Sequence, residues 1–531
     1  MGGAVLKTYD KYTVYQILIK ERSLFRGPSL TDKKEALQWL KEHAELDDLI
    51  YVYPILFKNN LELGLLAAEI VTNVMEKFTQ KQWNTVYDSL KYLKIDKDTL
   101  SVLLKYPEQL SIHLIGVATL NSNGYVREKA LRILSGAMKP AVIPYVLLRL
   151  SDWVEPIRGI AYHVLRNTLT IHNIDAFIVN FYLIEKLKHI CRVDLNKIRE
   201  EIIYFLKDEA VVERIKQYLK HSNVKVRLFC YSILSDQLVN DKAIIQLAQR
   251  DRSFEVRLWL IEVLDKLSYK EQLEVIKILR HDKSARVKVA LLRKAEEIII
   301  TEHNEFILEM ACDVHTSPRE EARFIARKHL LINDFATFYR ERLKNQPSAG
   351  AILGLGETGN EQDYGLISNF KTYEDPKIKC AVITAMWYLS PTNSIEYMLS
   401  CLESTIPKVR KTSKTLLKTS KSLMVLTRMK EKLKQNDPNL RNYALDTIFR
   451  FGGWQALEDI LGLISYEEDE AALKYANTLL ERWVIKAARF YVRIDLKTEA
   501  LIMDYLTIIK EKNRISENLL QQLTFITQTR K

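Results

Sequence analysis

One pair of residues, an apolar side chain followed by Arg or Lys, returns down most of this chain at a nearly constant step. It occurs as Val126-Arg127, Ile157-Arg158, Ile198-Arg199, Val226-Arg227, Val256-Arg257, Val287-Lys288, Ala322-Arg323, Ile378-Lys379, Val409-Arg410 and Leu440-Arg441. The steps are 31, 41, 28, 30, 31, 35, 56, 31 and 31 residues, so the period is close to 30 and the longest step holds two units. The unit without a base is visible inside that step as Ala351-Ile352-Leu353-Gly354-Leu355-Gly356-Glu357-Thr358-Gly359-Asn360. A fixed period of this size marks a repeat array, in which each supersecondary unit buries its apolar face only by stacking on its neighbours.

Within a unit, a helix-patterned stretch leads to a short break carrying Asn, Asp, Ser or Pro, and then to a second helix that bears the base. Asn123, Asn223, Asp375 and Asp437 stand four residues before their bases, where a side-chain oxygen can accept from the first free N–H groups. The positions one before, three after and seven after the base form one stripe at helical spacing: Val126/Ala130/Leu134, Val256/Leu260/Leu264 and Leu440/Ala444/Ile448. The expected fold is all-α, an α-α superhelix of about 12 stacked two-helix repeats, with residues 106–485 as the array. Residues 1–105 read as a divergent helical N-terminal cap, with helical spacing over Lys33 to Glu45 and Leu61 to Phe78. Residues 486–531 read as capping helices, with Tyr491, Leu496, Leu501, Tyr505 and Ile508 inside the stretch from Ala487 to Asn513.

The motif resembles that of the HEAT-repeat family, in the short bacterial variety of about 30 residues named after phycobilisome lyases, whose second helix reads Asp-x-x-Val-Arg-x-x-Ala and often ends in Leu-Gly-x-x-Gly. Several units depart from it, with Ile202, Leu260 and Leu291 where the family has a small residue. The resemblance implies a HEAT-like solenoid, and it implies that each base pairs with acidic or amide groups of the adjacent repeat. That role resolves a local conflict, because a cation in the first turn of a helix is disfavoured by the helix dipole.

Composition agrees with helices: Gly at 16 and Pro at 12 are few for 531 residues, and 47% of the chain is hydrophobic. The apolar stretches Ile298 to Ile300 and Ala141 to Leu148 fall well short of the roughly 18 residues a membrane span needs, so none is expected. The N-terminal residues lack a signal-peptide pattern, and Leu6 stands where a myristoylation signal has Ser or Thr, so the expected location is cytoplasmic. Cys191, Cys230, Cys312, Cys380 and Cys401 are scattered without a CxxC or Cys/His cluster, which predicts buried small hydrophobes rather than a disulfide framework or zinc site.

Three patterns imitate chemistry. Gly354-x-Gly356-x-x-Gly359 matches a dinucleotide fingerprint, with Glu374 near the ribose-binding distance, but that loop requires a preceding strand. Here the glycines end a helix, and Gly359-Asn360 reads as a C-cap followed by a new N-cap. His163, His172 and His189 have spacings of 9 and 17, unlike a metal motif, and the His-Glu dipeptide of HEAT-like deoxyhypusine hydroxylases is absent. Asp152-Trp153 with Arg158 is a faint echo of the HEAT-like alkylpurine DNA glycosylases, with packing between repeats as the competing role. The expectation is therefore no enzyme: no catalytic residue, no cofactor and no metal ligand.

The net charge of +12 is local rather than spread. The exposed-edge row Arg132, His163, Tyr204, Ser232, Glu262, Arg293, Lys328, Thr384, Thr415 and Asp446 is mixed, which argues against a groove basic along its whole length. From Lys408 to Arg441 there are eleven bases against Glu431 and Asp437, giving +9 of the total. Lys408, Arg410, Lys411, Lys414, Lys418, Lys421, Arg428, Lys430, Lys432 and Lys434 are the candidate contacts for an acidic protein surface, nucleic acid or another polyanion. Like charges at i, i+4 spacing repel by a few tenths of a kcal/mol per pair, and few aromatics interleave them for base stacking. The functional expectation is a scaffold or adaptor that binds a protein partner along a curved surface, with a nucleic-acid-binding solenoid as the alternative.

Overall fold

A computed structural model of the chain describes residues 10–20, 27–77, 82–190, 193–237, 241–345, 347–420, 422–433, 437–487 and 492–529. Among the described residues every regular element is a helix, so the all-α expectation holds. The chain divides into two compact units, Met1–Ile278 and Leu279–Lys531, with the division falling inside the helix Tyr269–Leu279.

In the first unit the second helices of successive repeats are Gly124–Leu134, Glu155–Thr168, Asn196–Leu206, Val224–Ile233 and Phe254–Glu262. Gly124–Leu134 packs on both Glu108–Ala118 and Glu155–Thr168, the contact pattern of stacked hairpins. The second unit repeats the arrangement with Ala285–Lys294, Thr316–Lys328, Ala349–Thr358, Pro376–Leu389, Pro407–Leu417, Pro438–Phe451 and Glu470–Ala487. The anticipated caps form: Asn123 accepts from the Tyr125 amide, Asn223 from Lys225, Asp375 from Lys377, and Asp437 from Leu440. The core stripe is buried as the spacing requires, with Val126, Ala130, Val256, Leu260, Ala444 and Ile448 all withdrawn from solvent.

Helix pairs continue into both end segments. Leu30–His43 is closed by a capping box between Ser29 and Asp32 and packs on Leu61–Lys77. At the other end Leu496–Glu511 packs on Gly453–Tyr466, with Ile502 and Ile509 inside; Tyr491 lies outside the described residues, as does Cys191. No helix of the described residues is long and apolar enough to cross a membrane.

The Gly354/Gly356 run belongs to the helix Ala349–Thr358 rather than to a phosphate loop. A Cβ on Gly354 would stand 2.3 Å from the Tyr339 ring, and one on Gly356 would stand 2.6 Å from Cα of Ala385. These glycines therefore let one helix approach two neighbours closely. Gly359 caps the helix in an extended conformation, and Asn360 starts the next turn with a capping box to Asp363.

Candidate interaction surface

The repeated base builds a ladder inside each unit. The Arg127 guanidinium is 1% exposed and donates from Nη1 to the carbonyl oxygens of Asn121 and Ser122, then from Nε and Nη2 to the Asp152 carboxylate at 2.8 and 3.0 Å. Asp152 also accepts from Arg149 at 2.9 Å and from the backbone amide of Val154 at 3.0 Å. Arg227 repeats the design on His221, Ser222 and Asp251, while Lys288 reaches Asp313 at 2.5 Å and Arg441 reaches Glu467 at 2.5 Å. Arg127 and Arg227 thus fasten their own turn and grip an acid on a later one, and Lys288 and Arg441 reach a later acid, as the family resemblance implied. Arg158 and Arg410 hold carbonyls of their own turn, Lys379 pairs with Glu374 just before it and Arg199 with the earlier Glu185. Burial opposes ionisation of Asp313, but the Lys288 ammonium and the amide and ring of His315 hold its carboxyl below the usual range.

The ladder corrects one repeat. Arg319, not Arg323, donates to the carbonyl six residues back, at Asp313, as Arg127, Arg158, Arg227, Arg257 and Arg410 do in theirs. The step from Lys288 is then 31 residues, and the next base, Lys379, follows after 60. Arg323 instead meets the Tyr339 hydroxyl and shares Glu357 with Arg319. In the exposed-edge row the residue five beyond this base is accordingly Phe324, and it is exposed.

The acid six residues before the base escaped the sequence reading. Asp152, Asp251, Asp282 and Asp313 occupy that position and each caps its own turn two residues on. Asp152, Asp251 and Asp313 also accept from a base of the preceding repeat. An Asp/Asn column six ahead of the Arg/Lys column was the available signal.

With its carboxylate held by two guanidiniums and an amide, Asp152 is occupied, and Arg158 donates to the carbonyl oxygens of Asp152 and Trp153. The glycosylase echo is thereby absorbed into turn structure. His163 meets Asn167, and among the described residues no group of three or more His, Cys, Asp or Glu is placed to hold a metal ion. Burial pushes the Cys230 thiol up to about 12 and the Cys312 thiol up to about 11, which disfavours a thiolate nucleophile at either.

On the outside of the same turns in the first unit stands a row of aromatic rings. Tyr92, Tyr125 and Trp153 are 74%, 72% and 66% exposed, and they sit on three consecutive turns. The turns are tied in series: the Ser122 amide donates to Lys91 O and Asn121 Nδ2 to Leu93 O, both at 2.6 Å, before Arg127 bridges to Asp152. Each ring carries a cation, with Lys91 over Tyr92 at 5.2 Å, Lys97 over Tyr125 at 5.7 Å and Arg127 over Trp153 at 5.7 Å. Tyr92 and Tyr125 were not anticipated. Tyr125 directly follows the cap-and-glycine Asn123-Gly124, outside the core stripe, and that was its only sequence signal.

The basic segment separates by helix. On Leu423–Lys432, Arg428 pairs with Glu396 and Glu431, Lys430 with Asp459 at 3.0 Å, and Lys432 with Glu403. Burial lifts the Asp459 carboxyl to about 6 against the pull of Lys430. Lys418 lies 3.5 Å from Asp446 and Arg410 is engaged by Ser404 O. Lys421 and Lys434 lie outside the described residues. Among the described residues no carboxylate lies within ion-pair distance of Lys408, Lys411 or Lys414, all on Pro407–Leu417.

No family model matches the chain, and no curated protein matches it. Solved structures similar to it include Kap121p bound to RanGTP, at 13% identity over 94% of this chain and 58% of that one, with a TM-score of 0.34. Kap95p bound to RanGDP is similar at 11% identity over 97% and 94%, with a TM-score of 0.27. A homology model of the full-length AP-3 complex is similar at 10% identity over 94% and 99%, with a TM-score of 0.25. The fold assignment rests on the helix pairs and their ladder.

Proposed function

We propose that the chain is a non-catalytic, cytoplasmic scaffold of the short HEAT type that binds a protein partner along its exposed repeat surface, with residues 1–105 and 486–531 capping the array. The row Tyr92, Tyr125 and Trp153 carries this reading. Large amphipathic rings beside Arg and Lys are the residue types that dominate binding energy in protein interfaces. Rings fixed by cations and by hydrogen-bonded turns are already ordered before a partner arrives, which lowers the entropic cost of association.

Affinity capture from the native cell with the full chain, read for both protein and nucleic acid, tests the reading. A specific protein should be retained, and Tyr92→Ala/Tyr125→Ala/Trp153→Ala should lose it while keeping the helical circular-dichroism spectrum. Retention of nucleic acid alone, or capture indifferent to the triple variant, contradicts the reading.

A further inference from the structure

We infer that the helix Pro407–Leu417 is a second docking point, which receives an acidic stretch of the partner polypeptide on Lys408, Lys411 and Lys414; this rests on the protein-scaffold reading above. Sequence alone credits the whole segment from Lys408 to Arg441 with positive charge, but the fold divides it. The cations of Leu423–Lys432 face acids of the same and neighbouring repeats, Glu396, Glu403, Glu431 and Asp459. Among the described residues Lys408, Lys411 and Lys414 of Pro407–Leu417 have no carboxylate within ion-pair distance, Asp437 acting on Lys414 only from farther away, and the three stand three residues apart along one helix. Lys414 is half-buried with its ammonium 5.1 Å from the centre of the Tyr443 ring. Burial holds it below the ordinary lysine range, Asp437 opposes this, and Arg410 and Lys418 add repulsion. An anion arriving here relieves that repulsion.

The extent of the patch selects the partner. Lys408 to Lys414 covers about 9 Å of helix, the length of roughly three residues of an extended chain. The flanking repeats interrupt it with acids: Glu374 and Asp375 before the helix Pro376–Leu389, and Asp437 and Asp446 at and within Pro438–Phe451. Both helices bear on Pro407–Leu417, the first by packing, the second through the Tyr443 hydroxyl on Lys414 O and the Asp446–Lys418 pair. A phosphodiester backbone crossing repeats would meet those carboxylates, and this helix carries no aromatic residue on which a base could stack. A run of three or four Asp or Glu side chains fits the charge and the length.

The test uses the full chain and a fluorescent poly-glutamate peptide of about twelve residues, followed by anisotropy across a salt series, beside a single-stranded oligonucleotide of about the same length. The peptide should bind saturably at low salt and lose at least about tenfold in affinity with Lys408→Glu/Lys411→Glu, two exposed positions whose reversal spares the Tyr443 contact. Adding Lys414→Glu should weaken it further, and Lys408→Arg/Lys411→Arg should retain it. Lys432→Glu, whose ammonium already faces Glu403, should change it by less than about twofold. No saturable peptide binding, binding indifferent to the reversals, or an oligonucleotide that binds more tightly with the same dependence overturns the assignment. Partner capture that survives Lys408→Glu/Lys411→Glu yet fails with the Tyr92/Tyr125/Trp153 variant shows that this docking point alone is wrong.

Discussion

In the repeat whose second helix is Gly124–Leu134, a buried Arg127–Asp152 pair carries the link to the next turn. In the repeat whose second helix is Ala349–Thr358, the position four beyond the Ser348 cap is Ile352, fully buried, and the base is gone. Its glycines bring the backbone against Tyr339 and Ala385, and its Glu357 receives Arg319 and Arg323 from the preceding repeat. The two repeats show that stacking needs close, polar-satisfied contact between turns rather than a base in every unit. A charge relay supplies it where the turns are polar, and small residues supply it where helices meet directly.

The charge-relay side breaks with the largest effect. Asp152→Ala leaves Arg127 and Arg149 without their shared carboxylate, and removing one partner of a buried pair destabilises by about 3–5 kcal/mol. Arg149 has no margin, since its Nε is already buried without a partner and burial lowers its pKa against the pull of Asp152. Denaturant unfolding followed by circular dichroism measures this. On the glycine side, Gly356→Ala places a methyl against the Ala385 backbone, an overpacking that costs about 1–3 kcal/mol, and the same unfolding curve reads it.

Glu357→Gln sharpens the comparison through pH. Burial raises the Glu357 pKa, but Arg319 and Arg323 outweigh it and hold the folded value below the usual glutamate range. Its stabilising contribution is thus complete above the unfolded pKa and is lost as pH falls through the folded one. The variant should lose about 1–2 kcal/mol at neutral pH and show a flatter acid limb of stability between about pH 5 and 3. The smallest effect concerns the helix before this repeat. Thr316–Lys328 ends with Leu330 at φ 54, exposed and left-handed, so Leu330→Gly should raise the unfolding midpoint by an amount equivalent to about 0.5–1 kcal/mol.

The period, the core stripe and the caps were legible because each is fixed by local spacing along one helix. The base of the Thr316–Lys328 repeat was misread by one turn, because Ala322-Arg323 and Arg319 lie four apart on the same helix and only the carbonyl at Asp313 distinguishes them. The acids that neutralise Lys430 and Lys432 were invisible for a different reason. Asp459 and Glu403 lie about 30 residues away and become neighbours only through stacking. Tyr92 and Tyr125 went unnoticed because an outward ring leaves no periodic trace, whereas Trp153 drew attention only through its neighbour Asp152.

Asp152 and Trp153, adjacent in sequence, separate the inward ladder from the outward surface, so the most direct measurement is stability and partner capture on Asp152→Ala and Trp153→Ala in parallel. The account predicts that Asp152→Ala loses about 3–5 kcal/mol, whereas Trp153→Ala stays within about 0.5 kcal/mol of the parent and weakens capture. A stable Asp152→Ala protein that selectively loses its partner, beside a Trp153→Ala protein that is destabilised yet still binds, would contradict it.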